Sequence, residues 1–281
     1  MVKMLSLAER HAIECPCLVF VKLGGSLITD KNRAATARPD VIRRLAEEVH
    51  CALEKRPDLH LVIGHGSGSF GHVVAQRYRV QAGCTDWRGY AQTSAAALRL
   101  NRIVTDAFLE AGVPVVSIQP SASARCRGGK LTALAAHPIE EALKHGLVPL
   151  TYGDVALDEL WGSTIISTEV IFVYLAYLLR PQRVVLAGEV EGVYSADPRQ
   201  DPWAHLIPVI SVRRMEEVQS ILGGSHGVDV TGGMRTKVQL MVDLVHDLPG
   251  LRVHLLSGLQ SGLLEQTLVD DEFNPGTLIT A

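Results

Sequence analysis

No stretch of this 281-residue sequence is apolar for long enough to cross a membrane. The longest uncharged apolar run, VIFVYLAYLL at residues 170–179, is about half of the roughly 18 residues that a spanning helix needs. A surplus of one charge is missing too. Lys and Arg number 27 against 30 Asp and Glu, a formal net charge of −3, which predicts no general attraction to nucleic acid or to an anionic membrane. Any anion site must therefore be local. Paired cysteines are absent: Cys15, Cys17, Cys51, Cys84 and Cys126 are scattered, and Cys15-Pro16-Cys17 has no matching pair of the kind a zinc site needs. They read as packing or incidental thiols. The opening residues carry Glu9, Arg10, His11 and Glu14 where a signal peptide requires an unbroken apolar segment, so a reducing cytoplasm is the expected location. With 47% hydrophobic and 20% charged residues, no biased tract, no fixed-period repeat and no Pro/Ser linker, the chain reads as one folded domain over 1–281.

What is present is an alternation of strands and helices. CLVFVKL (17–23), HLVIG (60–64), VPVVSI (113–118), GLVPLT (146–151) and RVVLAG (183–188) are short, apolar and rich in β-branched residues, as buried strands are. Helical spacing predicts helices over Pro39 to Lys55, from about Phe70 to Tyr78, from Thr93 to Ala111, from Pro138 to His145 and from Glu169 to Leu179. The latter part continues with a helix at SVRRMEEVQSILGG, a glycine-rich turn, a helix at GGMRTKVQLMVDLVHD, a strand at RVHLLSG and a closing strand near GTLITA. Uniformly apolar strands alternating with helices imply a three-layer α/β sandwich around a mainly parallel sheet. We divide it loosely after Thr151 into two lobes, about 17–151 and 152–281.

The glycines form a set. KLGGS (22–26) and GHGSGSFGH (64–72) each follow a strand, and in a parallel sheet such strand ends lie along one edge, where ligands sit. Glycine lets backbone N–H groups approach phosphate oxygens, and a following helix start adds partial positive charge. Two more glycine turns, YGD (152–154) and DVTGGM (229–234), weaken the alternative that these are only tight connections. The familiar phosphate loop G-x-x-x-x-G-K-[ST] is absent. GSGSFG matches the dinucleotide fingerprint only in letters, because it follows the second strand and the first carries Lys22.

VKLGGSLITDK, HGSGSFGH, YGDV, GEVEGVYSADP and DVTGGMRTKV, in this order over residues 20–238, resemble the amino acid kinase superfamily and specifically its isopentenyl phosphate kinase branch. The branch rests on the Lys22 to Lys31 pair across GGSLITD and on His72 at the end of the second glycine loop. The resemblance implies ATP-dependent transfer of a phosphoryl group onto a small alkenyl phosphate, with the first lobe holding the acceptor and the second ATP. Such a transfer brings two polyanions together, so its main tasks are neutralisation and alignment. By resemblance, Lys22 and Lys237 contact the β- and γ-phosphates, and Lys31 stabilises the transferring group. His72 donates a hydrogen bond to the non-transferred acceptor oxygens, and Asp154 orients Lys22 or Lys31 through an ion pair. Ser67, Gly153 and Thr168 complete the acceptor site. Gly24, Gly25, Ser26, Gly68, Glu189, Gly192, Tyr194 and Gly233 complete the ATP site. His65 is the competing candidate for the hydrogen bond given to His72, and its position at the strand end favours ordering the loop instead. The resemblance further implies Mg²⁺ held mainly by ATP phosphates and water, with no protein metal cage, and a homodimer.

Three departures from the family pattern stand out. Ser67 occupies a glycine position of HGGGSFGH, ISTEV (166–170) replaces SGDD, and LAGEVEGVY replaces LTDVDGVY, so that Glu189 and Glu191 extend their carboxylates by one methylene. Val73, Val74, Tyr78, Ala96, Leu100 and Ile103 are candidate walls for an alkenyl tail, with ordinary core positions as the alternative. Two other readings stay open: a kinase of the same fold acting on another small phosphonate or phosphate such as fosfomycin, and a nucleotide sensor without turnover. Retention of all three lysines speaks against the sensor.

Overall fold

The computed structural model describes residues 17–78, 80, 86–196, 198, 201–214 and 233–281. Its centre is an eight-stranded sheet. In chain order the strands are β1 (Leu18–Leu23), β2 (His60–His65), β3 (Val115–Ser117), β6 (Val148–Tyr152), β9 (Arg183–Gly188), β10 (Val209–Ser211), β11 (Arg252–Ser257) and β12 (Thr277–Thr280). In space they run β10-β12-β11-β9-β1-β2-β6-β3, every pair parallel except β11 with β12. All six residues of β1 are buried, because the strand serves a core on each face.

Cys17, Val19, Val21 and Leu23 point into one core with Ile42, Leu45 and Val49 of α2 (Pro39–Lys55), Leu100, Val104 and Phe108 of α4 (Trp87–Glu110) and Leu264 and Leu268 of α8 (Leu263–Val269). Leu18 and Phe20 point into the other. There they meet Ile139 and Leu143 of α5 (His137–Lys144), Phe172 and Leu175 of α6 (Thr168–Leu179) and Val238 and Met241 of α7 (Gly233–Asp247). This is the three-layer sandwich the alternation implied. Two short helices complete the glycine loops, α1 (Gly25–Ile28) and α3 (Gly68–Tyr78).

A second sheet was not foreseen. It is formed by β4 (Arg125–Arg127), β5 (Lys130–Ala133), β7 (Asp154–Asp158) and β8 (Gly162–Ile166) in the order β5-β4-β7-β8. Its first hairpin turns at Gly128-Gly129, φ +57° and +77°, the all-positive geometry of a type I′ turn, for which Gly-Gly is a sequence signal. The strands are too short and too mixed in polarity to stand out. Two further corrections concern segment ends. α4 begins at Trp87 behind an Asp86 cap that accepts from the Arg88 N–H at 3.0 Å, six residues before the expected start. Ser211 ends strand β10 instead of opening a helix, and residues 215–232, with the glycine turn at 229–232, lie outside the described residues.

Candidate active site

Parity along β1 decides what Lys22 meets. It shares the face of Leu18 and Phe20, and Phe20 packs at a tilt against Phe172 of α6 with ring centroids 5.0 Å apart. The Lys22 ammonium is thereby delivered to the C-terminal edge of the sheet, between the first turns of α6 and α7. It is buried and donates to Oε1 of Glu169, the second residue of α6. Lys237, four residues into α7, brings its Nζ to 3.8 Å from the same oxygen. Burial would raise the Glu169 pKa, but Lys22 and Lys237 outweigh it and hold the carboxyl well below the usual carboxylate range. Two ammonium groups thus converge on one carboxylate. Lys22, Gly24, Gly188, Gly192, Met234 and Lys237 line one cleft at the ends of β1, β9 and β11.

The glycine loops interlock beside it. A Cβ on Gly25 would lie 2.6 Å from the Gly68 nitrogen, and one on Gly66 would lie 2.8 Å from the Gly25 nitrogen. Only bare backbone allows this approach, and Gly68 also sits at φ +48°. The Gly24 N–H donates to Ala187 O at 2.8 Å and the Gly66 N–H to Leu23 O at 3.0 Å, which stitches both loops to the strand ends. Ser26 follows within α1 and is half-buried, as is Ser67. The Ser67 carbonyl accepts from the Phe70 and Gly71 amides at 3.1 and 3.2 Å and so starts α3. The Gly153 N–H and the Thr168 hydroxyl both donate to the His65 carbonyl, at 3.0 and 2.7 Å, joining β2, β6 and α6 at this edge.

His65 is fully buried and stacked on Tyr152, centroids 5.5 Å apart. Its Nδ1 lies 3.1 Å from Gly66 O and its Nε2 3.2 Å from Asn101 Nδ2, so Nδ1–H donates and Nε2 accepts. Burial pushes its pKa down to about 4, against the Gly66 hydrogen bond and with help from the Lys22 charge. A neutral, fixed imidazole orders the loop, as its strand-end position implied.

Other predicted residues lie apart from the lysine trio. His72 is exposed on α3, four residues after Gly68, and does not line the Lys22–Lys237 cleft. Lys31 is 59% exposed and pairs with Glu189 at 2.6 Å. Asp154 corrects an expectation: it makes no ion pair with Lys22 or Lys31. It opens β7 in the second sheet, is buried, and accepts from the Ser121 N–H at 3.2 Å and the Val155 N–H at 2.8 Å. Burial raises its pKa, opposed by these hydrogen bonds. The carboxylate that Lys22 uses is Glu169, which was noted only as part of a departure from the family pattern. Its signal was an acidic residue in the first turn of a helix after a strand.

Around the remaining ATP-site candidates, the Tyr194 hydroxyl donates to Glu191 at 2.7 Å, and Gly192 packs on Thr277 and Leu206. Gly233 is the first residue of α7. Among the tail-wall candidates, Ala96 and Leu100 are buried, Leu100 within the core, while Val74 and Tyr78 are half-buried and Ile103 is 37% exposed. The Val73 side chain lies outside the described residues. Among the described residues, no group of three His, Cys, Asp or Glu could hold a metal ion, and no helix is long and apolar enough to cross a membrane.

Lysines focused on a cleft at the C-terminal edge of a parallel sheet, flanked by interlocked glycine loops, define a phosphoryl-transfer kinase of the three-layer α/β type. The profile of the Amino acid kinase family matches residues 18–257. The isopentenyl phosphate kinase of Methanothermobacter thermautotrophicus is 35% identical, covering 94% of this chain and 99% of its own. That of Haloferax volcanii is 38% identical over 81% of this chain and 88% of its own. A crystal structure of an isopentenyl phosphate kinase superposes with a TM-score of 0.79 at 31% identity, covering 93% of this chain and all of that one. The chain belongs to the amino acid kinase family, in its isopentenyl phosphate kinase branch.

Proposed function

We propose that the protein phosphorylates isopentenyl phosphate to isopentenyl diphosphate with ATP. The observation that carries this reading is the meeting of Lys22 and Lys237 on Glu169 in one cleft. Ammonium groups gathered at one point match the demand of two mutually repelling anions. A terminal oxygen of the acceptor phosphate attacks the γ-phosphorus in line, the bond from that phosphorus to the bridging oxygen breaks, and ADP departs with the electron pair. The acceptor is already an oxyanion, so no strong base is required.

In this reading Lys22 and Lys237 neutralise the β- and γ-phosphates, with Glu169 holding the two ammonium groups at a fixed spacing. Lys31 meets the transferring group, and His72 donates to the non-transferred acceptor oxygens. Ser67, Gly153 and Thr168 shape the acceptor end, and Asp154 braces it through Ser121. Gly24, Gly25, Ser26, Gly68, Glu189, Gly192, Tyr194 and Gly233 form the nucleotide end. Residues of about 17–151 hold the acceptor and those of about 152–281 hold ATP, although Lys22 and Gly24 reach across that division. The ATP phosphates and water would hold Mg²⁺, which would supply positive charge against that developing on the transferring group. We further assign the protein to the cytoplasm as a homodimer.

The test is ADP release with ATP-Mg²⁺ and, in turn, isopentenyl phosphate, dimethylallyl phosphate, fosfomycin, UMP and glutamate. Turnover with the alkenyl phosphates is expected. Turnover with UMP or glutamate and neither alkenyl phosphate overturns the reading.

A further inference from the structure

Glu189 follows the cleft-lining Gly188 at the end of β9, and two cations from one loop grip it. Lys31 Nζ lies 2.6 Å from Oε2, and Arg38 Nη1 lies 3.2 Å from Oε1. The loop backbone is pinned. Thr29 bridges Ala37, the Asp30 N–H donates to Thr36 O at 2.9 Å and the Arg38 N–H to Ile28 O at 2.8 Å. The Ala35 N–H donates to Ser69 O of the second glycine loop at 3.2 Å, which ties the loop to the site.

The two side chains differ. Arg38, 33% exposed, caps α2 just before Pro39 and sets Nη1 of its planar guanidinium against one carboxylate oxygen. Lys31 is 59% exposed, on a flexible four-carbon stem that can turn without moving the backbone. If Lys31 were the only partner of Glu189, its departure would strand a partly buried carboxylate beside a polyphosphate, a like-charge arrangement that keeps the lysine where it is. A second cation removes that penalty. A phosphoryl group, with more charge and more acceptor oxygens than one carboxylate, then wins the ammonium.

We infer that Arg38 is a positioning residue: it keeps Glu189 neutralised so that Lys31 is free to exchange that carboxylate for the transferring phosphoryl group. The inference rests on the role given to Lys31 above. Neither Arg38 nor the exchange follows from the glycine loops or the lysine trio.

The experiment is a double-mutant cycle read by kcat with ATP-Mg²⁺ and isopentenyl phosphate, with Lys31→Met as a separate arm. Arg38→Gln should lower kcat about fivefold, the size of a good half-exposed ion pair, while Arg38→Lys stays within about twofold of the parent. In a Glu189→Gln background the same Arg38→Gln change should cost less than about twofold, because the carboxylate it compensates is gone. Thermal unfolding of each variant reports whether it is folded. An equal loss in both backgrounds, or no loss from Arg38→Gln where Lys31→Met does lower kcat, overturns the inference. An unchanged kcat in Lys31→Met overturns the role of Lys31 itself, and the exchange with it.

Discussion

The two ends of the eight-stranded sheet each bury cations on a carboxylate, and they are built from different residues. At the C-terminal ends of the strands, Lys22 and Lys237 share Glu169 and face a cleft. At the N-terminal ends, Arg183, the first residue of β9, donates to Thr267 O at 2.6 Å and Leu268 O at 3.2 Å and pairs with Asp271 at 2.8 Å. Arg56 reaches the same Asp271 at 2.6 Å, Leu268 O at 3.2 Å and Val269 O at 3.3 Å. These carbonyls belong to the last turn of α8, whose unpaired acceptors the guanidinium forks satisfy. The arginine knot spends its donors on the fold itself. The lysine knot, made of compact charges, lines a cleft that something can enter. Function in this molecule resides in the knot that lines a cleft, and stability in the knot that ties down a helix end.

The largest effect expected from breaking that contrast is at Lys22. Lys22→Met should lower kcat about 10²- to 10³-fold, the loss typical of one preorganised donor to a transition state. It should disturb stability less than a change in the arginine knot, because Lys237 remains beside Glu169. Steady-state kinetics and urea unfolding on the same sample check both halves. A kcat within a few-fold of the parent would mean that the cleft is not where phosphoryl transfer occurs.

Arg183→Met should do the reverse. Its side chain is buried, and its loss deprives two helix-end carbonyls and Asp271 of a donor. Unfolding free energy should fall by about 3 kcal/mol, as when one member of a buried ionic network is removed. The KM for ATP should stay within about twofold. A shift in KM with unchanged stability would show that the two knots are coupled through β9.

Much of the fold was legible because its strands are uniformly apolar and its helices keep their period. RVVLAG and the helix from Pro39 to Lys55 have the predicted bounds. The small second sheet was not, since three- to five-residue strands carry no period long enough to read, although Gly128-Gly129 was a turn signal in plain view. At the site, the glycine loops could be placed from their positions after strands, and Lys22 and Lys237 from theirs beside glycine turns. Glu169 could not. Its importance depends on strand parity bringing Lys22 under α6, a three-dimensional relation between residues 147 positions apart. Arg38 was hidden for the same reason, 151 positions from its partner. Asp154 was paired with the wrong group because sequence order placed it at a strand end but could not say that the strand belongs to another sheet.

The finest test sets one histidine from each end against the other. His65 at the cleft end and His254 in β11 are both buried, and burial pushes each pKa down to about 4; the Arg183 and Arg252 charges add to the effect at His254. For a base with a lowered folded pKa, the unfolded chain binds more protons between about pH 4 and the ordinary histidine value near 6.5. Stability is therefore lost as pH falls through that window and then levels off. Either His→Leu change should flatten this acid limb. At pH 7 the two should part. His65 holds Gly66 O and Asn101, so His65→Leu should cost about 2 kcal/mol through the polar groups it leaves unpaired. Neither ring nitrogen of His254 has a hydrogen-bond partner among the described residues, so His254→Leu should raise stability by about 1 kcal/mol. A loss at His254 as large as the loss at His65 would show that its nitrogens are satisfied after all, and that the closed end of the sheet is closed more fully than its arginines alone account for.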